Sequence, residues 1–120
     1  MGNKTTLQEL QNKVQSFCEA RDWDQFHNPK DLAIGISTEA NELLDIFRFK
    51  NDEQMQEIFA DPKKREHVEE EIAHTLFFVL RFAQMNGLDL AKCLDEKIRK
   101  NAKKYPVEKA MGSNVKYNEL

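Results

Sequence analysis

The chain has 120 residues, of which 40% are hydrophobic and 32% charged, and carries a formal net charge of −3. That length suits one compact domain, and the balance of charged and apolar residues excludes both a disordered chain and a membrane-embedded one. No run approaches the roughly 18 to 20 apolar residues of a membrane span, the first residues lack a signal-peptide core, and few Gly and Pro leave little material for short strands and turns.

Leu7, Leu10, Val14, Phe17 and Cys18 fall at helical spacing and predict a first amphipathic helix up to Ala20. The stretch Arg21-Asp22-Trp23-Asp24-Gln25-Phe26-His27-Asn28-Pro29 has no helical period and ends on an Asn-Pro breaker. Trp, Phe and His together in a polar connection are unusual. A second helix is predicted from Pro29 or Lys30 to Phe49, with Pro29 in its first turn. Residues 50–61 read as polar connection with one short helical turn around Met55 to Phe59. The third helix begins after Asp61-Pro62, with Asp61 as N-cap, and runs to Met85 before the stop signal Asn86-Gly87. Its second half, Ile72 to Phe82, is apolar almost all round, which predicts cover on several sides and hence a second subunit. A fourth helix is predicted from Asp89 to Lys104, stopping before Pro106, with an irregular tail over 105–120. The expected fold is all-α: a four-helix, bundle-like protomer with one helix in the middle, a single domain over 1–120, packed into a homo-oligomer.

Up to Asp89 there are 17 acidic and 10 basic residues, a balance of −7; from Leu90 onward 8 basic and 4 acidic residues give +4. An acidic body with a basic end argues against binding nucleic-acid polymers and suits a site that holds cations in one place and phosphates in another. Cys18 and Cys93 show no CxxC or disulfide-framework spacing, which reads as two reduced thiols of a cytoplasmic protein.

Glu39 and Glu42 stand three apart on the second helix, and Glu71 and His74 repeat that spacing on the third, so each pair shares a helix face. Both pairs lie beside apolar neighbours, Ile36, Leu43 and Ile46 on one helix and Ile72, Leu76 and Phe77 on the other. Packing the helices through those stripes brings three carboxylates and an imidazole together, a set for which a divalent cation is the usual compensation. A solvated acidic face is the competing reading, and it is the one taken for Asp52, Glu53, Glu57, Glu69 and Glu70.

The segments Arg21–Pro29, Glu39-Ala-Asn-Glu42-Leu43-Leu44, Glu69-Glu70-Glu71-Ile72-Ala73-His74, Asn101-Ala-Lys-Lys104-Tyr105-Pro106, and the tail residues Gly112-Ser113 and Lys116-Tyr117 together resemble the MazG-like all-α nucleoside-triphosphate pyrophosphohydrolases, most closely the dCTP pyrophosphatase branch. The likeness covers nearly the whole chain. It implies Mg²⁺-dependent cleavage of a (deoxy)nucleoside triphosphate, dCTP or a related or modified nucleotide, to the monophosphate and pyrophosphate. The family's ExxE and ExxD motifs carry over onto Glu39, Glu42 and Glu71 as catalytic and metal-binding carboxylates. His74 stands where the family has Asp, and an imidazole suits Mn²⁺ better than Mg²⁺. The resemblance also implies phosphate and sugar contacts from Lys97, Asn101, Lys104 and Tyr105. Trp23, Phe26, His27, Phe49 and Phe78 are the candidates to line the base; Phe49 stands where close relatives have Trp, and Phe78 where they have Tyr. Two other readings of the residues stay open. One is a carboxylate/His iron protein, because Glu71-x-x-His74 with His67 matches such sites. The other is a non-enzymatic helical interaction module whose metal site has degenerated.

Overall fold

Each major helix begins at a side chain able to satisfy its free N–H groups. Thr6, Asn28, Asp61 and Asp89 accept from the backbone N–H three residues on, opening helices α1 (Leu7–Glu19), α2 (Pro29–Phe47), α4 (Pro62–Met85) and α5 (Leu90–Lys104). Pro29 and Pro62 occupy the first turns of α2 and α4, where no N–H bond is lost. The computed structural model describes residues 4–120 and shows these four predicted helices, no strand among the described residues, and two α-helices more.

The first addition is α3 (Asp52–Ala60), nine residues where one turn was expected. Asn51 and Gln54 form a reciprocal capping box, each side chain accepting from the other's backbone N–H, and this local pairing sustains a full helix. The second is α6 (Val107–Ala110), which with a 3-10 turn at Tyr117–Glu119 gives the expected irregular tail some order.

The described residues up to Gly87 form one compact unit. In it α4 is the middle helix, packed against α1, α2 and α3 and most extensively against α2. The core is small: Cys18, Leu32, Ile58, Val68, Leu80 and Ala83. The expectation that Ile72–Phe82 is enclosed holds only for its end. Leu80 is buried, whereas Ile72 and Leu76 stay substantially exposed in the single chain. Cys18 is buried and Cys93 exposed, both free thiols, as expected; burial pushes the Cys18 thiol up, partly opposed by Arg81.

Residues Leu88–Leu120 form a second unit. Within it Tyr105 and Tyr117 meet edge to face at 6.2 Å, and the Lys104 ammonium lies 4.8 Å from the Tyr117 ring centre.

Candidate metal and nucleotide site

The packing of α2 on α4 joins the two acidic motifs. Glu39, Glu71 and His74 each offer a ligand atom, all within 4.8 Å of one another. His74 Nδ1 lies 3.0 Å from Glu39 Oε2. The side chains of Glu39 and Glu71 are only 13% and 15% exposed; Oε2 of Glu71 is buried with no hydrogen-bond partner, and the buried Oε2 of Glu39 has only the His74 nitrogen beside it. Buried carboxylate oxygens seldom go without partners. Glu42 joins from α2, its carboxyl close enough to Glu71 to raise the Glu71 value. The Glu71 carboxyl is held above its ordinary value, first by removal from water, then by the neighbouring carboxyls of Glu42 and Glu39; His67 opposes the shift. Glu42 and Glu71 also line a cleft of about 470 Å³ over Ile46 and Ile58, rimmed by Lys50, Lys64 and His67.

Aromatic rings run from this corner to the connection after α1. Phe78 lies 5.3 Å from His74 and Phe77 6.2 Å from it; Phe77 meets Phe17, and Phe17 meets Trp23 edge to face at 5.6 Å. Trp23 is placed by a helix-end motif: its N–H bonds Cys18 O while Asp22 N–H bonds Glu19 O, with Asp22 in the left-handed region at φ 54°. His27 packs against Trp23 at 6.1 Å. The other two expected base-lining rings do not join this set. Phe26 points outward from the 3-10 turn Asp24–Phe26, and Phe49 is 90% exposed, its backbone at φ 63° and its ring under the Arg48 guanidinium. Lys97, Asn101, Lys104 and Tyr105 belong to the second unit, where Lys97, Asn101 and Lys104 follow one face of α5.

A model of the MazG-like family matches residues 34–120, a span that includes all four residues of the acidic corner. This chain belongs to the MazG-like family. It is 31% identical over 115 residues to dCTP pyrophosphatase 1 of Rattus norvegicus, covering 96% of this chain and 68% of the relative. It is 30% identical, with the same coverage, to dCTP pyrophosphatase 1 of Homo sapiens. A crystal structure of a pyrophosphatase from Archaeoglobus fulgidus superposes with a TM-score of 0.78 at 31% identity, over 88% of this chain and 97% of that one. The protein is accordingly a hydrolase of the pyrophosphatase type, and no helix among the described residues is long and apolar enough to cross a membrane.

Three residues of this MazG-like protein belong to the site region without having been picked out in the sequence. Gly35 lies one turn before Glu39, and a Cβ there would sit 2.6 Å from the Phe78 ring, so the missing side chain is what lets that ring lie against α2. Arg81 and Asp24 form a pair under the Trp23 connection. The signal for Arg81 was a lone cation inside an apolar run; Asp24 and Gly35 had none.

Gly35→Ala gains about 1 kcal/mol of helix propensity but forces the Phe78 ring away at about 1–3 kcal/mol. We expect a lower melting temperature and, because Phe78 touches His74, weaker metal-induced stabilisation. Thermal denaturation of the single variant and of its combination with Phe78→Leu checks this, since removing the ring should remove the penalty.

Proposed function

We propose that this MazG-like protein hydrolyses nucleoside triphosphates, with dCTP or a related deoxynucleotide as its preferred class, to the monophosphate and pyrophosphate. The observation that carries this reading is the crowding of nearly buried carboxylates, with Glu71 Oε2 buried and unpartnered and Glu39 Oε2 facing only the His74 nitrogen, beside Glu42. Such a donor set fits a divalent cation, which would compensate the buried Glu71 oxygen and the carboxylates crowded around it. Glu39, Glu42, Glu71 and His74 are the residues that would hold it. Bound there, Mg²⁺ or Mn²⁺ supplies charge neutralisation for the phosphates and a more acidic attacking water.

The chain's own groups do the rest. Glu39 or Glu42, where not fully engaged as a ligand, orients the water and takes its proton. Trp23, His27 and Phe78 give a rigid apolar and aromatic surface for a base, and Phe26 and Phe49 are the further candidates. Phe78 has no hydroxyl to read base edges, so discrimination at that position rests on shape. Lys97, Asn101, Lys104 and Tyr105 are the proposed phosphate- and sugar-contacting residues of the second unit. The whole chain is proposed to serve as one catalytic domain.

Incubation with a panel of triphosphates and Mg²⁺ or Mn²⁺ tests the reaction. Monophosphate and pyrophosphate are expected as the only products; accumulation of diphosphate and free phosphate overturns the mechanism. The alternative of a non-enzymatic module predicts no turnover and no rise in melting temperature with metal. An iron protein predicts colour or tightly held iron on purification.

A homo-oligomer is part of this proposal. Ile34 and Leu44 on α2 and Ile72 on α4 are each more than half exposed in the single chain, an apolar surface of the kind that marks an interface. Sedimentation at micromolar concentration should show a dimer or a larger closed assembly; a monomer would contradict it.

A further inference from the structure

Arg81 is 0% exposed, a condition rare for arginine in any domain and more so in one with so few buried residues. Each nitrogen of its guanidinium donates to a side chain: Nη2 to Asp24 Oδ1, Nε to His27 Nδ1 at 2.8 Å and Nη1 to Gln84 Oε1 at 2.5 Å. Two of the three partners lie more than fifty residues earlier in the chain, on the connection that carries Trp23. Arg81 also continues the site's own stripe. Glu71, His74, Phe78 and Arg81 follow one face of α4, so the helix that bears the acidic corner bears the anchor of the aromatic segment about two turns beyond His74.

The bond to His27 has a chemical consequence. Arg cannot accept, so Nδ1 must present a lone pair and His27 is neutral with its proton on Nε2. Burial and the Arg81 charge both act in the same direction, lowering the His27 value, with only Asp24 opposing. A histidine held this way offers an N–H donor beside the Trp23 ring. An aromatic face and a neutral donor at a set angle are what a nucleobase needs: a surface to stack on and a hydrogen bond for a ring nitrogen or carbonyl.

We propose that Arg81 is a positioning residue for base recognition, pinning the Trp23–His27 segment and fixing His27 as the Nε2–H tautomer so that the Trp23 ring and that N–H form one preset surface for the base. The proposal rests on the nucleotide-hydrolysing function above. It assigns Arg81 no contact with substrate and no part in holding metal.

Trp23 is the only tryptophan in the chain, so its fluorescence reports on this segment alone. In the wild type, proton–nitrogen NMR correlation of the imidazoles at neutral pH should show His27 protonated on Nε2; a proton on Nδ1 overturns the proposal. Arg81→Lys keeps the charge but loses the planar fork. It should shift Trp23 emission to the red and increase acrylamide quenching. It should also raise KM for the preferred triphosphate by about tenfold or more, with kcat changed by less than about threefold. The Mn²⁺-induced rise in melting temperature should persist. His27→Gln, whose amide can accept from Arg81 and donate outward, should raise KM less than His27→Leu, whose side chain can do neither. Unchanged Trp23 emission and unchanged KM in Arg81→Lys, with only a lower melting temperature, would make Arg81 a structural residue and overturn the proposal. If Arg81→Lys does not fold, the wild-type tautomer and the contrast between the two His27 variants still decide it. A wild type that turns over no triphosphate refutes the activity; a loosened Trp23 with unchanged KM refutes the positioning role alone.

Discussion

Glu71→Gln is expected to lower triphosphate hydrolysis by at least about a hundredfold while making the metal-free protein more resistant to heat. Loss of activity follows from removing a charge at the centre of the donor set, where Glu71 approaches Glu39 and His74 from one side and Glu42 from another. The gain in stability follows from the same surroundings. The Glu71 carboxyl is raised above its ordinary value by removal from water and by the neighbouring carboxylates. The folded protein therefore holds this proton to higher pH than the unfolded chain does. Below the unfolded value the group is protonated in both states and costs nothing. As pH rises through the folded value, the fold must carry an unfavourable carboxylate and stability is lost. A neutral amide never pays that cost, so the melting temperature of Glu71→Gln should exceed that of metal-free wild type at neutral pH and depend less on pH. Metal should reverse the order. A cation bound only to the native state raises the wild-type melting temperature and leaves the variant little changed. Because metal takes the place of the Glu71 proton, that rise should shrink as the solution is acidified. Melting curves at two pH values, with and without Mn²⁺, check every part. Wild-type activity in Glu71→Gln, together with an intact metal response, would remove Glu71 from the site.

His74→Asp is expected to raise Mg²⁺-supported turnover by roughly tenfold or more, and to turn a preference for Mn²⁺ into a preference for Mg²⁺. His74 Nδ1 faces Glu39 Oε2 at 3.0 Å, so the imidazole stands within the donor set and not turned away from it. An imidazole brings no negative charge and suits borderline metals, whereas Mg²⁺ asks for oxygen ligands in a near-octahedral shell. His67 lies on the same face of α4, its Nε2 3.5 Å from Glu71 Oε1, which adds a second nitrogen donor near the carboxylates and reinforces that bias. Titrating each metal against wild type and His74→Asp, following both activity and melting temperature, checks the switch. If the substitution changes neither, three carboxylates suffice and His74 is a bystander.

The positions where helices start and stop were legible along the chain because each depends on a few neighbouring residues. Asn28-Pro29 and Asp61-Pro62 supply a side-chain acceptor and a residue with no N–H to lose, and Asn86-Gly87 supplies the residue able to adopt φ 65° at the end of α4. Helix α3 was written there too, in Asn51 and Gln54, although the polarity of residues 50–61 concealed it. The spacing of Glu39 with Glu42 and of Glu71 with His74 is likewise local, and it correctly placed each pair on one helix face. What those carboxylates experience is not local. Whether an oxygen is orphaned or solvated depends on how α2 lies on α4, which turns on Phe78 finding the bare backbone of Gly35. The same holds for the aromatic segment. Its composition marked it as unusual, but its anchor is a guanidinium more than fifty residues away that reads, in the linear chain, as an interruption of an apolar helix. Phe49 shows the converse: its ring type suggested a stacking surface, and a left-handed backbone turned it out to solvent in the single chain. Short-range hydrogen bonding sets the elements within a few residues, while burial, orphaned charge and ring orientation arise only when distant segments exclude water together.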